Sequence, residues 1–207
     1  MDFNLIIGFI IATVALAFMP GPDNIYVLTE SISKGWRQGV GITTGLISGV
    51  SIHTILVATG LSLIVFKHEF AYELVKYAGA IYLLYLAYGA YREKAIDVQI
   101  DPSKQQEPFW RLFRRGFFMN VLNPKVSIFF IAFLPQFVHK DGWLPMHQML
   151  VLGVIFMVLS FIVFSAVAVV SGASANLIKH PRFWVVTKWI KVIVLITLAV
   201  FLVLSKQ

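Results

Sequence analysis

Six stretches of this sequence are long and apolar enough to cross a lipid bilayer, and nothing else in it restricts the fold as much. They run roughly over 3–30, 39–66, 70–91, 116–138, 146–171 and 183–204. A spanning helix needs about 20 mostly apolar residues. Inside hydrocarbon every backbone N–H and C=O must be satisfied within the segment itself, which favours helices. Composition agrees, since 58% of the 207 residues are hydrophobic and 13% are charged, where a soluble domain carries about 25% charged residues. The chain is therefore read as an all-α integral membrane protein with six transmembrane helices. Its first run, "MDFNLIIGFI", has no basic leader and is too long for a signal-peptide core, so it is read as a retained transmembrane helix.

Connections between the runs are short except over 92–115, "REKAIDVQIDPSKQQEPFWRLFRR". That segment is polar and mixed in charge, and reads as an exposed loop ending in a short interfacial helix at Phe109–Arg115. It divides a single membrane domain, 1–207, into halves 1–91 and 116–207. Three is odd, so the halves have opposite orientations. Pro22 interrupts the first run of one half and Pro124 the first run of the other, 102 positions later. This is the pattern of inverted three-helix repeats with discontinuous helices 1 and 4.

Lysine and arginine set orientation. With both termini outside, the inner side holds Lys34, Arg37, Arg92, Lys94, Lys104, Arg111, Arg114, Arg115, Lys179, Arg182 and Lys188. The outer side holds Lys67, Lys76, Lys140 and Lys206, while Lys125 and Lys191 fall within spans. Eleven against four predicts N-out and C-out. The net charge of +7 is thus topological, and no nucleic-acid partner is expected.

The two interruptions carry the chemistry. A proline inside a helix costs about 3 kcal/mol or more, and an acid at the bilayer centre roughly 2.5–3.5 kcal/mol on insertion scales. In "FMPGPDNIYV" both occur at one locus. A helix restarting at Pro22 after a Gly21 cap offsets part of the cost, and Asp23 in its first turn is favoured by the helix dipole. A kink with a locally satisfied acid is one complete explanation. The second interruption, "NVLNPKVSIFF", resists it. Asn123 is a good cap and Pro124 a good first residue, but Lys125 then lies where the dipole opposes a cation. Its counter-anion is either Asp23 or a bound carboxylate. Both breaks lie roughly 10–15 Å from the inner surface at 1.5 Å per residue. One pocket holding Asp23, Lys125 and two sets of free backbone N–H groups complements a zwitterion, with a small amino acid as the obvious ligand. Gly21, Pro22, Asp23, Asn24, Asn123, Pro124 and Lys125 are the expected binding residues, and Ile25, Ser127, Ile128 and Tyr85 are candidates for selectivity.

These same residues carry a resemblance. "MPGPDNIYVLTESISKGWRQGVGITTGLISG" and "GFFMNVLNPKVSIFFIAFLPQF" resemble, in order and separation, the two signatures of the LysE/RhtB family of amino-acid exporters. "YAGAIYLLYLAYGAYR", between them, is similar as well. The resemblance implies a six-span inner-membrane exporter of amino acids or their derivatives, driven by the proton gradient. On the family's motifs it places Pro20, Gly21, Pro22, Asn123, Pro124 and Lys125 at the breaks.

Other features have competing explanations. Gly41, Gly45 and Gly49 recur every four residues and read as a helix-packing stripe; the partner helix is either internal or that of a second protomer in a homodimer. His53 continues the spacing and is either a proton carrier or a histidine hydrogen-bonded between helices. Glu30 lies seven residues after Asp23 with Tyr26 between, which makes Asp23, Glu30 and His53 the candidates for proton coupling; a boundary carboxylate is the alternative for Glu30. The tyrosines from Tyr77 to Tyr91 and most of the tryptophans read as interfacial anchors, with Tyr82 and Tyr85 deeper. No cysteine occurs, so thiolate metal sites and clusters are excluded, and no cofactor is expected. No His-Glu-x-x-His helix occurs, and "GLISG" has leucine where a rhomboid-type protease needs glycine; no catalytic residue is assigned. A carrier of an ion or acylated signal molecule, or an assembly subunit, remains the rival to amino-acid export.

Overall fold

The computed structural model describes residues 3–18, 21–61, 69–92, 105–139, 143–173 and 181–204, and Pro20 and the loop over 93–104 lie outside them. Among the described residues every regular element is helical. In chain order they are α1 (Phe3–Phe18), α2 (Pro22–Lys34), α3 (Trp36–Leu56, running on into a π-helical turn, Val57–Leu61) and α4 (Glu69–Arg92). Then come α5 (Phe109–Val121), α6 (Pro124–Ala132, followed by a 3-10 turn, Leu134–Phe137), α7 (Pro145–Ala173) and α8 (Pro181–Leu204).

Among the described residues three helical stretches are long and apolar enough to cross a membrane: Trp36–Gly60, Pro145–Gly172 and Val185–Leu204. Two bent pairs qualify when each is counted as one span, Ile6–Phe18 with Pro22–Lys34 at 57° and Phe109–Val121 with Pro124–Phe137 at 51°. Both bends fall where proline interrupts the apolar run. Each second half-helix starts with proline at its first position, after Gly21 in extended conformation (φ −152°) and after Asn123 (φ −80°). The expected third span corresponds to α4. Its 24 residues reach about 36 Å, but Glu73, Lys76, Arg92 and six tyrosines leave it outside the group of strongly apolar helices.

The short interfacial helix expected at Phe109–Arg115 is corrected. Helix continues without interruption to Val121, so the basic segment is the first part of the half-helix that precedes the Pro124 break. The reason is its amphipathy: Leu112, Gly116 and Asn120 recur every four residues and are all buried. The two pre-break helices are therefore 16 and 13 residues long, closer to one another than the apolar runs suggest.

Packing explains the glycine stripe. A Cβ on Gly45 would stand 2.1 Å from the Phe113 carbonyl oxygen, and one on Gly116 would stand 2.3 Å from that of Ile42. Gly41 and Gly49 face Leu112 and Asn120 of the same helix. The partner of the stripe is thus internal: α3 of one half and α5 of the other approach backbone to backbone, as small residues permit in membranes. α2 and α7 flank this pair, and α4 packs mainly on α8. The larger apolar core joins Phe129, Phe130, Phe133 and Phe137 to Phe9, Phe156 and Leu202.

Candidate functional site

Both breaks come together in the interior. Asp23, in the first turn of α2, is 2% exposed, and Asn123 and Lys125, at the start of α6, are 4% and 7% exposed. Asn123 connects them. Its side-chain oxygen accepts from the Lys125 backbone N–H at 3.0 Å, capping α6. Its amide donates to Asp23 Oδ2 at 2.5 Å, across 100 positions of sequence. One side chain thus satisfies a donor freed by the second break and an acceptor placed by the first. The other carboxylate oxygen, Asp23 Oδ1, is buried with no hydrogen-bond partner among the described residues. A buried acceptor left so is costly.

Lys125 reaches back to the first break: a Cβ on Gly21 would stand 3.0 Å from Lys125 Nζ. Lys125 and, less strongly, His53 act on the Asp23 carboxylate electrostatically, and Lys191 of α8 acts on Lys125. Lys125 also lines a crevice with Leu16, Tyr82, Ile128 and Phe129. The crevice measures about 10 Å³, at most the room of one water. Asp23, Asn123 and Lys125 converge, and the small crevice beside Lys125 is lined by neither Asp23 nor Asn123.

His53 of α3 lies within hydrogen-bond distance of the Asn120 carbonyl, Nε2 to O 3.1 Å. That carbonyl belongs to the last turn of α5, where intrahelical partners run out. Asn24 plays a similar part at the other break, its amide donating to the Ala17 carbonyl of α1 at 2.8 Å. Ser127 Oγ donates to the Asn123 carbonyl at 3.1 Å. Tyr82 lines the crevice, whereas Tyr85 is exposed on the outer surface of α4.

Glu30 is not joined to Asp23. It pairs with Lys34 at 2.8 Å in a second polar cluster at the far end of α2, built around a residue that sequence reasoning passed over. Glu107, just before α5, pairs with Lys34 at 2.8 Å and Arg115 at 3.3 Å, with Arg111 at 4.0 Å. Its backbone N–H donates to the Gln38 side-chain oxygen at 2.8 Å, and its carbonyl accepts from the Gln38 amide at 3.3 Å. Arg115 also donates to the Tyr26 hydroxyl. The Lys34 hydrogen bond holds the Glu107 carboxyl below its ordinary range; burial opposes this, and the charges of Arg115 and Lys34 reinforce it. The available signal was the spacing of Glu107, Arg111 and Arg115 at four-residue intervals. Among the described residues no three metal-ligating side chains gather.

Residues 14–206 match the LysE type translocator family. The chain is 32% identical over 182 residues to the homoserine/homoserine lactone efflux protein of Salmonella typhimurium, covering 88% of this chain and 87% of the relative. It is 27% identical over 184 residues to an uncharacterized membrane protein of Vibrio cholerae, covering 88% of both. With the uncharacterized membrane protein YrhP of Bacillus subtilis it shares 25% identity over 199 residues, 92% of this chain and 94% of that one. No solved structure matches it. The apolar helices, the two bent pairs and this similarity over nearly the whole length lead to one conclusion: the chain is a multi-pass membrane protein of the LysE type translocator family.

Proposed function

We propose that this protein exports amino acids or amino-acid derivatives across the bacterial inner membrane, exchanging them for protons by alternating access. In this reading α4 completes a set of six spans, the halves 1–91 and 116–207 form one inverted-repeat unit, and both termini lie outside. The observation that carries the proposal is the Asn123–Asp23 hydrogen bond, which brings an acid from one broken helix to the capped amino end of the other. Asp23 Oδ1 is the acceptor for a substrate ammonium. Lys125 and the first-turn N–H groups of α6 suit a carboxylate or ester carbonyl. The name of the Salmonella relative, a homoserine/homoserine lactone efflux protein, supports a small amino-acid-derived substrate.

Asp23 and Asn123 are buried and hydrogen-bonded to each other, so binding between them requires the two breaks to separate. A substrate that takes over Asp23 from Asn123 supplies the energy for that separation. Protonation of Asp23 on the outer side weakens its hold on the ammonium and links release to proton entry. His53, held on Asn120, senses the same break.

A counterflow panel in proteoliposomes tests the reading. Labelled homoserine is loaded against unlabelled amino acids, homoserine lactone, inorganic ions and acyl-homoserine lactones. Competition confined to small amino acids and the unacylated lactone is expected. Competition by ions or acylated molecules alone would overturn it.

A further inference from the structure

We propose that the outer face of α5 binds the headgroup of an anionic phospholipid. Leu112, Gly116 and Asn120 bury the opposite face of this helix. On the outer face Trp110, Arg111, Arg114, Arg115 and Phe118 are exposed, and together with Pro108 they line an open groove of about 430 Å³. That is room for a phosphodiester with its glycerol rather than for a single ion.

Charge identifies the ligand class. Three guanidinium groups face this groove, and among the described residues the one carboxylate against them, Glu107, is shared with Lys34. Arg114 has no hydrogen bond or ion pair among the described residues. Guanidinium forks match phosphate oxygens in pairs. The apolar flank selects lipid over a soluble polyanion. The Trp110 ring stacks on Phe113 at 5.1 Å and 5°, which fixes it at the groove's edge as an interfacial indole. Phe118 lies two turns further along the same face and is 53% exposed. In the direction in which α5 enters its span, a lipid with its phosphate on the arginines lays its acyl chain past Phe118. The proposal needs only the membrane assignment and α5, not the transport reading.

The test uses the full-length protein. Native mass spectrometry in detergent compares retained phosphatidylglycerol with retained phosphatidylcholine, for the wild type, Arg114→Gln and Trp110→Ala. Arg114→Gln is the informative variant, because Arg111 and Arg115 also touch Glu107. We expect wild-type preference for the anionic lipid of at least about fivefold, reduced about threefold or more by either substitution, with unfolding temperature in neutral detergent unchanged. In nanodiscs, phosphatidylglycerol brominated on its acyl chains is expected to quench wild-type fluorescence more than Trp110→Phe fluorescence. Equal retention of the two lipids would overturn the proposal, as would an undiminished preference in Arg114→Gln. Displacement of the lipid by millimolar inorganic phosphate or by an acidic peptide, with loss of the bromolipid difference, would show a general anion site and overturn it too.

Discussion

Asn123 does two jobs with one side chain, and its substitutions separate them. A serine there retains the capping oxygen but is too short to reach Asp23. Asn123→Ser is expected to keep the cap, since good caps exchange at little cost, and to destabilise by about 1–3 kcal/mol through the unpartnered Asp23 oxygen. Its transport is expected to fall at least tenfold. Asn123→Ala loses the cap as well, for a further cost of about 0.5–2 kcal/mol. Parallel unfolding curves and counterflow rates check both. Much of this locus was legible in the sequence. Proline at a first helical position, asparagine before it and an acid in a first turn are local rules, and they placed Gly21, Pro22, Asn123 and Pro124 as found. The contact of Asn24 with the Ala17 carbonyl was not legible, because which orphaned group a polar side chain finds depends on a bend angle that the sequence does not contain.

The α3–α5 pair is one of several places where helices from the first and second parts of the chain meet. The Gly45 approach leaves no room for a methyl group against a backbone carbonyl, which cannot swing aside as a side chain does. Gly45→Ala is expected to destabilise by about 1–3 kcal/mol, the usual cost of overpacking, read as a lower unfolding midpoint. Gly41→Ala meets side chains rather than backbone, Leu112 at 3.0 Å and Phe109 at 3.6 Å, and is expected to cost less. The repeat of glycines was plain from sequence, but periodicity names a face and not its partner, so only the fold could exclude a second protomer at this stripe. Glu107 escaped notice for a related reason. Its partners Lys34 and Gln38 are 73 and 69 residues away. Its carboxyl is held below the ordinary value of 4.5, so its stabilisation is present above that value and is lost as pH falls through the lower folded-state value. Thermal unfolding measured from pH 6 down to pH 3 is expected to decline less steeply for Glu107→Gln than for the wild type.

At the scale of the whole molecule, polar ties hold both ends of the bent pair Phe109–Val121 and Pro124–Phe137. Glu107 joins α2, α3 and α5 at one end, and Tyr72 of α4 donates to Gln136 at the other. With the break region packed between them, the alternating access proposed above would need each tie to open in turn. The all-helical fold and the two proline interruptions were readable because lipid forbids irregular backbone except where protein or water covers it, while the described residues give three candidate spans, or five with each bent pair counted as one. The size of the crevice beside Lys125 was not readable, because it depends on how side chains of several helices pack together. The absence of cysteine makes orientation directly measurable. Lys206→Cys is expected to react with a membrane-impermeant maleimide from outside intact cells, and Arg114→Cys only after permeabilisation.

The central claim is that Asp23 and Lys125 grip one zwitterion between the two breaks. Its most direct measurement is homoserine counterflow by purified Asp23→Asn and Lys125→Met in proteoliposomes, normalised to folded protein. Each is expected to fall at least tenfold below the wild type. Wild-type rates in both variants would contradict the account.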